Sequence, residues 1–113
     1  MKRISPRIRY MTPEETSSHD FCNPGLMMEY ENLMIPLNAG YSDSIYIFRE
    51  SNNIYVLIFS RRIGYAGLDI LDSQDGDIVG SVFMEDYQLR DSISRQWFHM
   101  KPETLIRKLQ MYL

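Results

Sequence analysis

Six consecutive apolar residues, Ile54 to Phe59 in NIYVLIFSRR, constrain this chain more than any other stretch of it. In an extended backbone successive side chains point to opposite faces, so Ile54, Val56 and Ile58 lie on one side and Tyr55, Leu57 and Phe59 on the other. A strand with two apolar faces belongs at the centre of a sheet and has to be covered on both sides. The run is far shorter than the roughly 20 residues that a membrane-crossing helix requires, so it reads as a strand and not as a span.

The neighbouring segments fit that reading. SIYIFRE, residues Ser44 to Glu50, precedes it across the polar SNN, and a polar turn between two β-rich runs predicts an antiparallel hairpin. Strand character resumes in YAGLDILDS, and a second hairpin is expected from Tyr65 to Met84, with Asp75-Gly76 supplying the positive φ of a tight turn.

Between the two lies SRRIGYAGLDI, in which Arg61 and Arg62 precede Gly64 and Gly67. A phosphate loop needs converging backbone N–H groups, generally with a lysine and a hydroxyl where the loop opens a helix. Here no lysine follows and a strand stands where the helix would be, so the segment is expected to turn a corner between adjacent strands. Gly64 would allow the turn, and Gly67 a bulge or close backbone approach.

The flanks carry mixed signals. Thr12, Pro13 and Glu15 form a helix-start pattern: a capping hydroxyl, a proline in the first turn, and an acid at the positive end of the dipole. From Asn23 and Pro24, the placement of Leu26, Tyr30, Leu33 and Met34 on one helical face suggests a second helix, with an extended strand ending at Pro36 as the alternative. Past Met84 the period changes. Leu89, Ile93 and Trp97 recur at every fourth position behind Asp86 as a cap, predicting a helix from about Tyr87 to Phe98. A last helix is expected from Pro102, burying Leu105, Ile106, Leu109, Tyr112 and Leu113, with Glu103 near its start and Arg107 and Lys108 near its end to complement the dipole.

A chain of 113 residues that is 44% hydrophobic and 24% charged has material for one core, so a single globular domain over residues 1–113 is expected. The fold class predicted from these elements is α+β: an antiparallel β-meander of about four strands, short N-terminal helical elements, and two C-terminal helices packed on the sheet. The basic start, MKRISPRIRYM, is followed by no apolar stretch of signal-peptide length, so no secretion signal is read there. The one cysteine, Cys22, cannot close an intramolecular disulfide and suits a reducing cytoplasm.

A net charge of −3 conceals segregation. From Tyr10 to Phe48 there are six acids (Glu14, Glu15, Asp20, Glu29, Glu31 and Asp43) and neither lysine nor arginine. From Gly64 to Asp91, Asp69, Asp72, Asp75, Asp77, Glu85, Asp86 and Asp91 face only Arg90. Bases collect at the amino terminus, at Arg61 and Arg62, and near the carboxyl terminus. Long acidic intervals disfavour direct contact with nucleic acid and favour a basic protein partner through electrostatic steering, or simply keep the surface solvated.

Motifs for chemistry are weak. DILDSQDGDI has four aspartates, but counted from Asp72 a calcium loop would place Gln74, Gly76 and Phe83 at its third, fifth and twelfth positions, which is the wrong register. HDFC sets His19, Asp20 and Cys22 together, but residues this close in sequence seldom adopt all three orientations that nucleophilic catalysis needs. His99, next to the Trp97-Phe98 pair, reads as an interhelical polar contact. Two histidines and one cysteine make a zinc site improbable. No catalytic residue, metal or cofactor is therefore assigned, and no enzymatic activity is expected. The eight tyrosines and eight methionines fill core positions or anchor a protein interface.

The expected function is that of a small acidic protein-binding inhibitor, a bacterial immunity protein that neutralises a cognate toxin such as a nuclease. Its contact residues are expected to be Asp69, Asp72, Asp75, Asp77, Glu85 and Asp86. A phage or mobile-element inhibitor of a nucleic-acid-binding defence complex would carry the same charge pattern. A structural or adaptor module acting through self-assembly is the alternative of another class, and a small enzyme using His19 and Cys22 a third.

Overall fold

A computed structural model describes residues 1–18, 25–38, 44–60, 64–85 and 99–113. The chain runs through β1 (Lys2–Arg3), β2 (Arg7–Tyr10), α1 (Pro13–Ser18), β3 (Gly25–Tyr30), β4 (Leu33–Asn38), β5 (Ser44–Glu50), β6 (Asn53–Ser60), β7 (Tyr65–Asp72), β8 (Ile78–Glu85) and α2 (Pro102–Gln110). The strands form a five-stranded antiparallel sheet, ordered β1-β5-β6-β7-β8, and a three-stranded one, ordered β2-β3-β4.

The apolar run sits where its two-faced pattern requires. β6 is the middle strand of the larger sheet. On one face Tyr55, Leu57 and Phe59 pack with Leu68, Ile70 and Met84 against Leu105, Ile106 and Leu109 of α2. On the other, Ile54 and Val56 pack with Ile47 and Leu71 against Met28, Ile35 and Leu37 of the smaller sheet. The result is three layers, helix on sheet on sheet, with β6 contributing to both cores.

The first hairpin forms as predicted. Glu50 pairs with Asn53 across a Ser51-Asn52 loop, and Ser51 takes φ +55°, the left-handed geometry that mirror-image hairpin turns need at their first loop position. The second hairpin turns through Ser73 to Asp77, with Gly76 at φ +77°. Opposite Ile70 stands Gly80, but opposite the next residue, Leu71, stands Ile78, so Val79 is the extra residue of a bulge in edge strand β8. SRRIGYAGLDI does turn a corner: Gly64, at φ +85°, donates its N–H to the Ser60 carbonyl and joins antiparallel β6 and β7. Arg61 and Arg62 lie outside the described residues. Gly67 allows a close approach, since a Cβ there would stand 3.2 Å from Phe83.

The single meander with two C-terminal helices is corrected. The chain builds two sheets, and among the described residues one C-terminal helix; the helix expected from Tyr87 to Phe98 lies outside them. The segment after Asn23 is not helical where described but a β3–β4 hairpin, with Glu31 at φ +54° in its two-residue loop. Leu26, Met28 and Tyr30, then Leu33, Ile35 and Leu37, alternate with period two and supply one apolar face. That face gains more by closing over β6 than a helix would gain from a narrow stripe. Pro36 is tolerated because β4 is an edge strand.

α1 carries the full capping box: Thr12 Oγ1 accepts from Glu15 N–H at 3.2 Å, and Glu15 Oε1 accepts from Thr12 N–H at 2.9 Å. α2 has Pro102 in its first turn, with Glu103 and Arg107 and Lys108 placed as the dipole favours. It ends at Gln110, so Tyr112 and Leu113, expected on its buried face, lie beyond it and are exposed.

Candidate protein-binding surface

Two sets of acidic side chains differ in a way that the sequence does not show; Glu14 and Glu103, at the helix starts, belong to neither, although they too lie in no ion pair among the described residues. In the first, each acid has an arginine. Glu15 receives a bidentate pair from Arg9, at 2.7 and 2.9 Å, and Glu29 receives Arg9 Nε at 2.9 Å. Glu31 takes Arg49 at 2.7 Å, and the same Arg49 nitrogen donates to the Tyr30 hydroxyl at 3.1 Å. Glu50 lies 3.3 Å from Arg107 and 3.7 Å from the terminal amine of Met1. These pairs tie α1 to β2, the β3–β4 turn to β5, and α2 to the end of β5. The Arg9 guanidinium, helped by the Thr12 N–H, holds the Glu15 carboxyl down at about 2.

The second group is the β7–β8 hairpin. No ion pair among the described residues involves Asp69, Asp72, Asp75 or Asp77. Two of the four build the turn: Asp72 Oδ1 accepts the Gln74 N–H at 2.8 Å, and Asp75 Oδ1 accepts the Asp77 N–H at 2.9 Å. Asp72 also closes the turn through its backbone, donating to the Asp77 carbonyl and accepting from Gly76 N–H. Asp75 and Asp77 are exposed. Asp69 lies on the inner face of the sheet between Val56 and Ser81, whose hydroxyl donates to its Oδ1 at 2.7 Å.

Of the six residues expected to form a contact, the structure gathers Asp72, Asp75 and Asp77 at one hairpin end, with Asp69 farther along β7. Glu85 pairs in register with Tyr65 at the opposite end, about 25 Å from Asp77 at the usual strand rise. Asp86 lies outside the described residues, as do His19, Asp20 and Cys22. His99 is exposed just ahead of α2. Among the described residues no three His, Cys, Asp or Glu side chains converge as metal ligands, and no helix is long and apolar enough to cross a membrane.

Sequence reasoning missed what stands beside the aspartates. Ile78 is 62% and Val79 61% exposed, directly after Asp77, where the bulge breaks the alternation that would have turned one of them inward. Phe83, 54% exposed, leans on Tyr65 with ring centroids 5.4 Å apart. Between edge strand β4 and the hairpin is a cleft of about 380 Å³, walled by Ile35, Leu37, Val56, Leu71 and Ile78 with Asp69 among them. A second, polar cleft of about 290 Å³ lies where the three hairpin turns meet, and its Arg49 is already engaged by Glu31 and Tyr30. The consecutive pair Ile78-Val79 after an aspartate turn was the one sequence signal of an exposed apolar patch.

Comparison of the chain with protein families, curated proteins and solved structures finds no significant match.

Proposed function

We propose that the protein works by binding a basic protein partner through the turn end of the β7–β8 hairpin, as a cytoplasmic inhibitor of the immunity-protein kind. Its target would be a toxin such as a nuclease, whose positive field attracts nucleic acid and would attract this hairpin equally well. The observation that carries the reading is the division of charge among the described residues: Glu15, Glu29, Glu31 and Glu50 lie in ion pairs, whereas Asp69, Asp72, Asp75 and Asp77, gathered on one hairpin, lie in none. Exposed Ile78 and Val79 beside those aspartates supply apolar area for a contact that steering alone would leave weak.

The test starts with a tagged pull-down from the native host at low and high salt, followed by reconstitution with the captured protein. The triple variant Asp72→Asn, Asp75→Asn, Asp77→Asn removes three charges while keeping the Oδ1 acceptors of the turn. Association with a basic, toxic partner is expected to slow at least tenfold at low salt, the difference shrinking as salt rises. Equal rates for the two proteins at all salt concentrations would remove the hairpin from the interface. Recovery of only the chain itself would point to assembly instead.

A further inference from the structure

The cleft beside Asp69 has a composition that a plain packing defect lacks. Its walls come from three places: Ile35 and Leu37 of the edge strand β4, Val56 and Leu71 on the inner face of the large sheet, and Ile78 where β8 begins. These walls are aliphatic. Into them projects one carboxylate, Asp69, which receives a single hydrogen bond, from Ser81 to Oδ1. Its Oδ2 has no hydrogen-bond or ion-pair partner among the described residues. Asp69 is partly exposed, so its carboxylate is open to an arriving cation while the neighbouring walls can hold an apolar stem. No lysine or arginine among the described residues pairs with the carboxylate.

From this arrangement we infer that the cleft receives one lysine or arginine side chain of the basic partner, its aliphatic stem on the Ile35, Leu37, Leu71 and Ile78 walls and its cationic head at Asp69. Such side chains combine an apolar stem with a charged tip, as the cleft combines apolar walls with one charge of opposite sign. A volume of about 380 Å³, within the roughly 300–1,000 Å³ found for ligand sites, admits a lysine or arginine side chain with room to spare. Gly76, between Asp75 and Asp77 in the turn, also lines the cleft. A partner steered to the turn therefore arrives with its basic side chains at the cleft mouth. The inference rests on the partner reading for the identity of the occupant, and on the cleft alone for its chemistry.

The cleft chemistry is tested on the full chain without any partner. Methyl NMR would follow Ile35, Leu37, Val56, Leu71 and Ile78 during titration with n-butylammonium and n-propylguanidinium, the side-chain ends of lysine and arginine, and with n-butanol as the neutral control. The cations are expected to shift these methyls saturably, with n-butanol at least fivefold weaker. Asp69→Asn should abolish the preference for cations, and Ile78→Lys, at an exposed position, should block the site with its own ammonium if Asp69→Asn fails to fold. Equal response to n-butanol, a preference that survives in both variants, or no shift at these methyls overturns the inference. The two failures are distinguishable. If no cation enters but the triple asparagine variant slows association, the cleft inference falls and the partner reading stands; if cations enter and the triple variant associates normally, the partner reading falls.

Discussion

Arg9 and Glu15 meet through two parallel hydrogen bonds, 2.7 and 2.9 Å long, and fasten the six-residue α1 to strand β2. An isolated helix of that length does not persist in water, so the pair and the Thr12 cap hold it in place. The Glu15 carboxyl is held at about 2 against an ordinary 4.5. Because the folded value is the lower one, the pair stabilises the native state fully above pH 4.5 and loses its contribution as pH falls toward 2. Urea midpoints measured from pH 6 to pH 2 are expected to fall through this window in the wild type and to change less in Glu15→Gln. Parallel pH profiles for the two would show that the pair contributes nothing to stability.

Two turn substitutions should act with opposite signs. Gly76 is at φ +77°, and a Cβ there would stand 3.3 Å from Ile35 Cγ1, so Gly76→Ala is expected to destabilise by about 1–3 kcal/mol through backbone strain and crowding. Ser51, a non-glycine residue at φ +55°, is strained already, and Ser51→Gly should be neutral or stabilise by up to about 1 kcal/mol. Chemical denaturation of both variants checks the pair.

Leu57 and Leu109 are almost fully buried in the same core, from opposite sides of the sheet–helix interface. Either change to alanine should cost about 2–5 kcal/mol. Because they share one buried cluster, they should be non-additive in the double variant. Val79→Ala, at an exposed bulge position, should change stability by no more than about 0.5 kcal/mol. A cost for Val79→Ala approaching that of Leu57→Ala would mean that the bulge residue is covered.

The Asp72→Asn, Asp75→Asn, Asp77→Asn variant is expected to keep or slightly raise the thermal midpoint at low salt. It removes repulsion among carboxylates that lie in no ion pair among the described residues and leaves the turn acceptors in place. A marked loss of stability would show that these charges serve the fold and would weaken the interface assignment.

The hairpins 44–60 and 65–85, the capping box at Thr12 and the helix from Pro102 were legible because each is written in adjacent residues. A period of two, a polar turn, a hydroxyl three residues before a glutamate, and a proline at a helix start all act locally. So was the demand that β6 be covered on both faces, since its side chains alternate along one strand. The three-stranded sheet was not legible. RIRY and LMMEY do alternate, but leucine and methionine suit a helix as readily as a strand, and Leu26, Tyr30, Leu33 and Met34 also fit a helical face. Only the apolar face left open by Ile47, Ile54 and Val56 decides between them, because burying it rewards a sheet. The candidate site divides in the same way. The sequence counted the carboxylates correctly, but which of them are neutralised depends on arginines brought from far along the chain, such as Arg9 to Glu29 and Arg49 to Glu31. The cleft that opens beside Asp69 exists only once β4 of the small sheet has packed beside the β7–β8 hairpin of the large one.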